Sequence, residues 1–167
     1  MAEALLIEER TGFAIATVMA RKGVTDDEIG LLLEMTLASG PRCSQAENLA
    51  LIGTGPGTWL AHCPAPPSDW LPALQARIGA YAALVDQSGS YVIFRLSGPT
   101  ARTLLQRGAS IDFDPSVFGP GSVAVTVIAH IGAVIWQSDD RPSFEVAIFR
   151  SFASSFRHWL DVTIAAL

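Results

Sequence analysis

DQSGSYVIFRLSGPTAR, residues Asp86–Arg102, strings a turn, a strand and a helix start along one short piece of chain. Asp86, Ser88 and Gly89 are turn formers, because Asp and Ser hydrogen-bond nearby backbone and Gly accepts unusual backbone angles. Tyr91 to Ser97 is apolar and rich in β-formers, with Arg95 alone interrupting it. Gly98-Pro99 stops that strand and opens a short helix with Pro99 at its first position, running to about Arg107 and closing at Gly108.

The segment before it has the same grammar. Gly12 to Ala20 reads as a strand, and Thr25-Asp26-Asp27-Glu28 as a capping box with Thr25 as N-cap. The helix carries Ile29, Leu32, Leu33 and Leu37 on one face and stops at Gly40-Pro41. Two strands, Asn48 to Ile52 and Thr58 to Cys63, flank Gly53-Thr54-Gly55-Pro56-Gly57 as a hairpin. Pro64, Pro66 and Pro67 forbid regular structure up to a helix from Asp69 to Ile78. Tyr81 to Val85 closes the half as a strand.

After the opening segment a loop through Asp112, Asp114, Pro115 and Pro120 leads to a strand from Ser122 to His130. Further strands run from Gly132 to Gln137 and from Phe144 to Phe149, around a turn at Asp139–Pro142. A last helix, Ser151 to Ile164, sets Phe152, Phe156, Trp159, Leu160 and Thr163 on one stripe. The expected fold is α+β: two ferredoxin-like βαββα half-units, about 12–86 and 87–164, with antiparallel sheet and packed helices in a single domain over 1–167. No sequence identity links the halves, so duplication rests on element order alone.

Composition narrows the function. Half of the 167 residues are apolar and 16% are charged, against about 25% in an average soluble domain. Mean hydropathy is +0.36. That shortage of charge fits a large permanent interface, since obligate interfaces resemble a core cut in half. A net charge of −5 with no basic run argues against nucleic acid. The most apolar stretch, Val123 to Trp136, is shorter than the ~20 residues that span a bilayer. Glu3, Glu8 and Glu9 stand where a secretory signal needs positive charge, and Cys43 and Cys63 make no disulfide framework or zinc pattern. The expected location is the cytoplasm.

Catalytic chemistry finds no foothold in these residues. Gly53-Thr54-Gly55-Pro56-Gly57 would need to open a helix to cradle a pyrophosphate, but strand-like Thr58-Trp59-Leu60 follows, so it reads as a turn. His62, His130 and His158 lie far apart, and no Gly-x-Ser-x-Gly elbow accompanies them. Asp112, Asp114, Asp139 and Asp140 sit beside proline or in turns, where Asp bends the backbone. No catalytic, cofactor-binding or metal-binding residue is assigned. Arg95 and Arg150, at apolar strands where an unpaired charge is costly, read as internal ion pairs with one of the aspartates or as contacts to a partner's carboxylate. With Trp59 and His158 they form the expected partner interface, Trp and Arg being common hot-spot residues.

Taken in order, several segments resemble the gamma subunit family of heterotetrameric sarcosine oxidase. They are Leu51–Leu60 with Gly55-Pro56-Gly57-Thr58-Trp59-Leu60, Asp86–Arg102, Ile111–Gly121, Val127–Ile131, and Arg150–Leu160. The Asp-x-Ser, strand, Gly-Pro-x-Ala-Arg pattern is also similar to the folate-binding domain of aminomethyltransferases, the glycine cleavage T-protein superfamily. The first resemblance implies a non-catalytic subunit of an αβγδ complex that oxidatively demethylates sarcosine, coupled to tetrahydrofolate. It implies a large alpha subunit and beta and delta subunits as partners. FAD, FMN, NAD, tetrahydrofolate and zinc are then all expected on those other chains. The alternatives are a subunit of an N-methylglutamate dehydrogenase-like complex and a stand-alone folate-binding or one-carbon-transfer protein.

Overall fold

The computed structural model describes residues 5–167. In chain order its strands are β1 (Leu6–Glu9), β2 (Ala14–Ala20), β3 (Cys43–Ala46), β4 (Leu49–Gly55), β5 (Thr58–Cys63), β6 (Ala82–Asp86), β7 (Tyr91–Ser97), β8 (Val123–Ile128), β9 (Ile131–Trp136) and β10 (Ser143–Phe149). Its helices are α1 (Asp26–Leu32), α2 (Trp70–Ile78), α3 (Ala101–Gln106) and α4 (Ala153–Ile164), with a 3₁₀ turn at Arg150–Phe152. The backbone groups into two compact units: Gly12–Gly89, and Ser90–Leu167 together with the segment ending at Thr11.

Each unit holds one five-stranded sheet in which every pair is antiparallel. The orders are β3-β4-β5-β2-β6 and β8-β9-β10-β7-β1. They match strand for strand. A central strand (β2 or β7) leads to a helix, three strands meander back to pair beside it, and a second helix follows. Only the last place is filled differently. Beside β2 lies β6, which follows α2, whereas beside β7 lies β1, from the beginning of the described chain. The fold is α+β, as expected, with two strands more per unit than the βαββα pattern. Neither β1 (LIEE) nor β3 (CSQA) announces itself, because both are short and partly polar.

The Gly12–Gly89 unit packs Val18, Leu51, Trp59 and Ala61 of its sheet against Ile29 and Leu33 of the α1 region and Leu74 and Ile78 of α2. The α1 start is the capping box expected: the Glu28 amide donates to Thr25 Oγ1 at 3.3 Å, and the Thr25 amide donates to Glu28 Oε2 at 2.8 Å. Thr25→Ala is expected to cost about 1 kcal/mol, seen as a drop of about 2–4 °C in Tm by calorimetry. The helix ends at Leu32, well short of Gly40. Glu34 takes a left-handed φ of 56°, and the Met35 amide donates back to the Gly30 carbonyl at 2.9 Å, closing the last turn. That reversal lets Leu37 join Ile29 in the same core.

In the other unit, Phe94, Leu96, Phe144, Val146 and Ile135 form the covered sheet face. Leu104 and Leu105 of α3, Phe156 and Leu160 of α4, and the loop residues Phe113 and Phe118 pack on it. α3 begins at Ala101, so Pro99 lies in the turn ahead of it, where Gly98 has φ 109°. The long strand expected over Ser122–His130 breaks at Ile128. Ala129 and His130 are both left-handed and make the two-residue β8–β9 turn with neither Gly nor Asn to signal it. On α4 the buried residues are Ala153, Phe156, Leu160 and Thr163, while Phe152 is 46% exposed ahead of the helix.

Candidate functional site

The motif residues are engaged by backbone. The Ser88 amide donates to Asp86 Oδ1 at 2.9 Å, and this bond holds the Asp86 carboxyl below the usual carboxylate range. Ser88 Oγ accepts from the Ile15 amide at 3.1 Å and donates to the Ile15 carbonyl at 3.3 Å, sealing the end of the β2–β6 ladder. In Gly53–Gly57, β4 runs on to Gly55, and Pro56-Gly57 turns the chain with Gly57 at φ 59°. It is a hairpin, as its sequence context indicates.

Arg102 closes the opening motif. Its Nη1 donates to the Phe113 carbonyl and, at 2.9 Å, to the Phe118 carbonyl; its Nη2 donates to Gln137 Oε1 at 3.2 Å. The guanidinium carbon lies 5.0 Å from the Phe144 ring centroid, a cation–π arrangement. Gln137 is fully buried and passes the connection on, its Nε2 donating to the Asp139 carbonyl at 2.7 Å and the Arg141 carbonyl at 3.0 Å. Partial burial lowers the Arg102 pKa, and Asp114 nearby raises it.

One rung of the second sheet is charged. Glu8 on β1 lies opposite Arg95 on β7, and Arg95 lies opposite Glu145 on β10. Directly opposite residues share a face, so these three charges stand side by side on rigid strands. Arg95 Nε donates to Ser143 Oγ at 3.1 Å and lies 4.0 Å from Glu145 Oε1. Burial raises the Glu145 pKa, Arg10 and Arg95 oppose that, and Glu8 and Asp139 reinforce it. Glu145 Oε2 is buried and has no hydrogen-bond partner among the described residues. The rung borders a recess of about 130 Å³ lined by Arg95, Ser138, Asp139, Arg141, Ser143 and Glu145. A cleft of about 450 Å³ shares Arg95, Arg141 and Ser143 with it and extends to Leu6, Glu8 and Gly98. Sequence reading singled out Arg95 but not Glu145, which looks like an ordinary strand glutamate until the register places it.

Of the four residues expected at a partner surface, Trp59 is 3% exposed, packed in the core of its own unit, and has no surface to offer. A tryptophan in an apolar strand reads alike for core and hot spot. Arg95 pairs inside the chain with Glu145, a glutamate rather than an aspartate. Arg150 is exposed and donates from Nη2 to the Tyr91 carbonyl at 3.1 Å, and His158 is exposed on α4. His62 lies 5.8 Å from the Phe13 ring. Asp112 accepts from the Asp114 amide, and Asp114 from the Ser116 amide, as turn-forming Asp does. Among the described residues no group of three His, Cys, Asp or Glu could hold a metal ion, and no helix is long and apolar enough to cross a membrane.

The two-sheet antiparallel α+β architecture is shared with solved structures. A chain of the heterotetrameric sarcosine oxidase from Corynebacterium sp. U-96, in complex with pyrrole 2-carboxylate, superposes with a TM-score of 0.85 at 21% identity, over 97% of this chain and 84% of that one. The glycine cleavage system aminomethyltransferase T from Bartonella henselae superposes with a TM-score of 0.68 at 16% identity, over 93% of this chain but 45% of that one. The fold class is thus one that aminomethyltransferases also use.

The family follows from sequence. The model of the sarcosine oxidase gamma subunit family matches residues 43–166, and the chain belongs to that family. It is 27% identical over 121 residues to the sarcosine oxidase subunit gamma of Arthrobacter sp., and 28% identical over 122 residues to that of Corynebacterium sp. strain P-1. Each alignment covers 72% of this chain and 59% of the relative, so the chain spans about three fifths of the length of the curated relatives it matches.

Proposed function

We propose that the chain is a non-catalytic, gamma-type subunit of a heterotetrameric, flavin-dependent sarcosine oxidase complex in the cytoplasm. The carrying observation is how the motif residues are used. Asp86, Ser88 and Arg102, which give the transferase-like pattern, are engaged with neighbouring backbone. They build the fold rather than face a substrate. In this reading FAD, FMN, NAD, tetrahydrofolate and zinc belong to the alpha, beta and delta subunits.

Exposed apolar side chains support a permanent partner. Leu31 is 80% exposed, and Val117, Val125, Phe149 and Phe152 are 46–61% exposed. Large exposed apolar groups of this kind mark interaction surfaces when they gather. Phe149 stacks on Tyr91 at 4.9 Å and brackets Arg150 together with Phe152, so we place a partner contact there and at His158.

Co-expression with large flavoprotein subunits tests the assignment. The chain is expected to remain with them through size-exclusion chromatography, and the isolated chain to show no flavin absorbance or sarcosine oxidation. A chain that elutes alone, or that binds tetrahydrofolate at micromolar concentration by itself, overturns it.

A further inference from the structure

We propose that the open edge of β8 takes one more strand, an uncharged, apolar extended segment of a large partner subunit, joined to the second sheet by main-chain hydrogen bonds. The proposal rests on the assembly reading and names a contact within it. The ladder to β9 fixes which backbone groups are free. The Gln137 amide donates to the Ser122 carbonyl at 3.1 Å, so in alternation Ala124 and Thr126 face β9, and Val123, Val125 and Val127 turn their backbone groups outward. At the far end the Ala129 amide donates to the Gly108 carbonyl at 3.0 Å, and Ala109 bridges Ile128. Among the described residues no backbone hydrogen bond engages the outward groups of Val123 or Val125. An extended segment laid along this edge supplies donors and acceptors at the matching spacing.

The other sheet edges are guarded. β1 ends in Glu8 and Glu9, β3 is four residues long and partly polar, and β6 ends in Asp86. Charge and brevity are the usual means by which an edge refuses a further strand. β8 (VAVTVI) is six residues long without charge or proline, and Val125 and Val127 are 59% and 49% exposed. The same face continues to the contact placed at Phe149. Ile148 lies opposite Ala133, and Ala133 opposite Thr126, so one rung further on Phe149, Gly132 and Val127 stand in a row. Phe149 is 50% exposed, and a Cβ at Gly132 would meet nothing within 4 Å. Apolar surface therefore runs from Phe149 across Gly132 to the open edge, where one partner can cover both. A second copy of this chain is a poor occupant. The stretch Val123–Val127 is about 17 Å long, and pairing it with itself falls well short of the roughly 1,200 Å² that a stable interface buries. A partner already held at Phe149 has no such shortfall.

Hydrogen exchange on the complex co-expressed with the large flavoprotein subunits tests the pairing. The Val123 and Val125 amides are expected to exchange freely in the isolated chain and at least ten-fold more slowly in the complex. Val125→Pro removes a donor that the β8–β9 ladder does not use, and proline is tolerated at such an edge position. That variant is expected to keep the wild-type circular dichroism spectrum and to bind the large subunits at least ten-fold more weakly. Should it unfold, Val127→Lys, which guards the edge by charge as β1 is guarded, must weaken binding to the same extent. A wild-type chain that elutes alone overturns the assembly reading and this proposal with it. A retained chain whose Val123 and Val125 amides exchange as freely as before, or whose affinity is indifferent to both substitutions, overturns the strand pairing alone. A chain that dimerises by itself in sedimentation, with those amides protected, makes the occupant a second copy and overturns the proposal as well.

Discussion

Arg102→Met is expected to lower the stability of the chain by about 2–4 kcal/mol, the range for stranding buried acceptors of a charged donor. The substitution keeps much of the side chain's length and removes its donors. Three acceptors then lose their partner: the Phe113 and Phe118 carbonyls and Gln137 Oε1. Phe113 and Phe118 are 0% and 5% exposed, so water reaches those carbonyls poorly once the guanidinium is gone. The cation–π contact with Phe144 goes as well. In thermal unfolding this corresponds to a fall in Tm of about 4–16 °C. Arg102→Lys restores the charge but cannot reach three acceptors in a planar fork, so it is expected to recover less than half of the loss. Faster hydrogen exchange at the Val117 and Phe118 amides, both bonded to the Asp114 carbonyl, is expected in the same variant. A Met variant within 0.5 kcal/mol of wild type would show the loop to be held by apolar packing alone.

The role of Arg102 shows what a single sequence conceals. Gly98-Pro99-Thr100-Ala101-Arg102 is legible as a helix start, because glycine and proline act on their own backbone. Arg102 acts on residues 11 to 35 positions away, and no periodicity connects it to Phe113, Phe118 or Gln137. The same holds for the charged rung. Arg95 attracts notice because it breaks an apolar run, yet its neighbours Glu8 and Glu145 are chosen by strand register. The β7–β10 register places Glu145, and Glu8 is placed by β1, a four-residue strand with no apolar alternation. Local signals fared better: the Thr25–Glu28 capping box, the Gly55–Thr58 turn and the turn duty of Asp112 and Asp114 are all written within a few residues. Where the deciding contact is distant, as for Trp59, residue type alone could not separate core from surface.

The two networks also meet. Arg102 fixes Gln137, and Gln137 fixes the carbonyls of Asp139 and Arg141. Those two residues wall the recess next to Arg95 and Glu145. The Gly98–Arg102 segment therefore shapes the wall of the recess beside Arg95 and Glu145. A fold-maintaining arginine and the charged recess are in this way joined through one buried amide, and loosening the first is expected to blur the second.

Gly53→Ala is the second substitution with a large expected effect, and it separates the reasons for three glycines in one motif. A Cβ at Gly53 would stand 2.6 Å from the Gly40 carbonyl oxygen and 3.2 Å from that of Arg42. Both obstacles are backbone, and the Gly53 amide donates to the Arg42 carbonyl at 2.9 Å, so the segment cannot retreat without losing that bond. The expected cost is about 2–4 kcal/mol, from overpacking of 1–3 plus a lost hydrogen bond of about 1. Gly55 has nothing within 4 Å of such a Cβ and lies at the exposed end of β4. Gly55→Ala is expected to stay within about 0.5 kcal/mol of wild type. Gly57, at φ 59°, falls between them: alanine there meets ordinary contact with Ala20 but bears a left-handed backbone worth about 1–2 kcal/mol. Denaturant midpoints of the three variants should therefore rank Gly53→Ala lowest, then Gly57→Ala, then Gly55→Ala. Equal sensitivity at Gly53 and Gly55 would mean that the close approach of residues 40–42 is not what requires glycine. A ligand-cradling loop makes a different demand, since its glycines matter for an incoming phosphate rather than for folding. A stability ranking in the stated order, with the wild-type chain indifferent to nucleotide, assigns the motif to the hairpin.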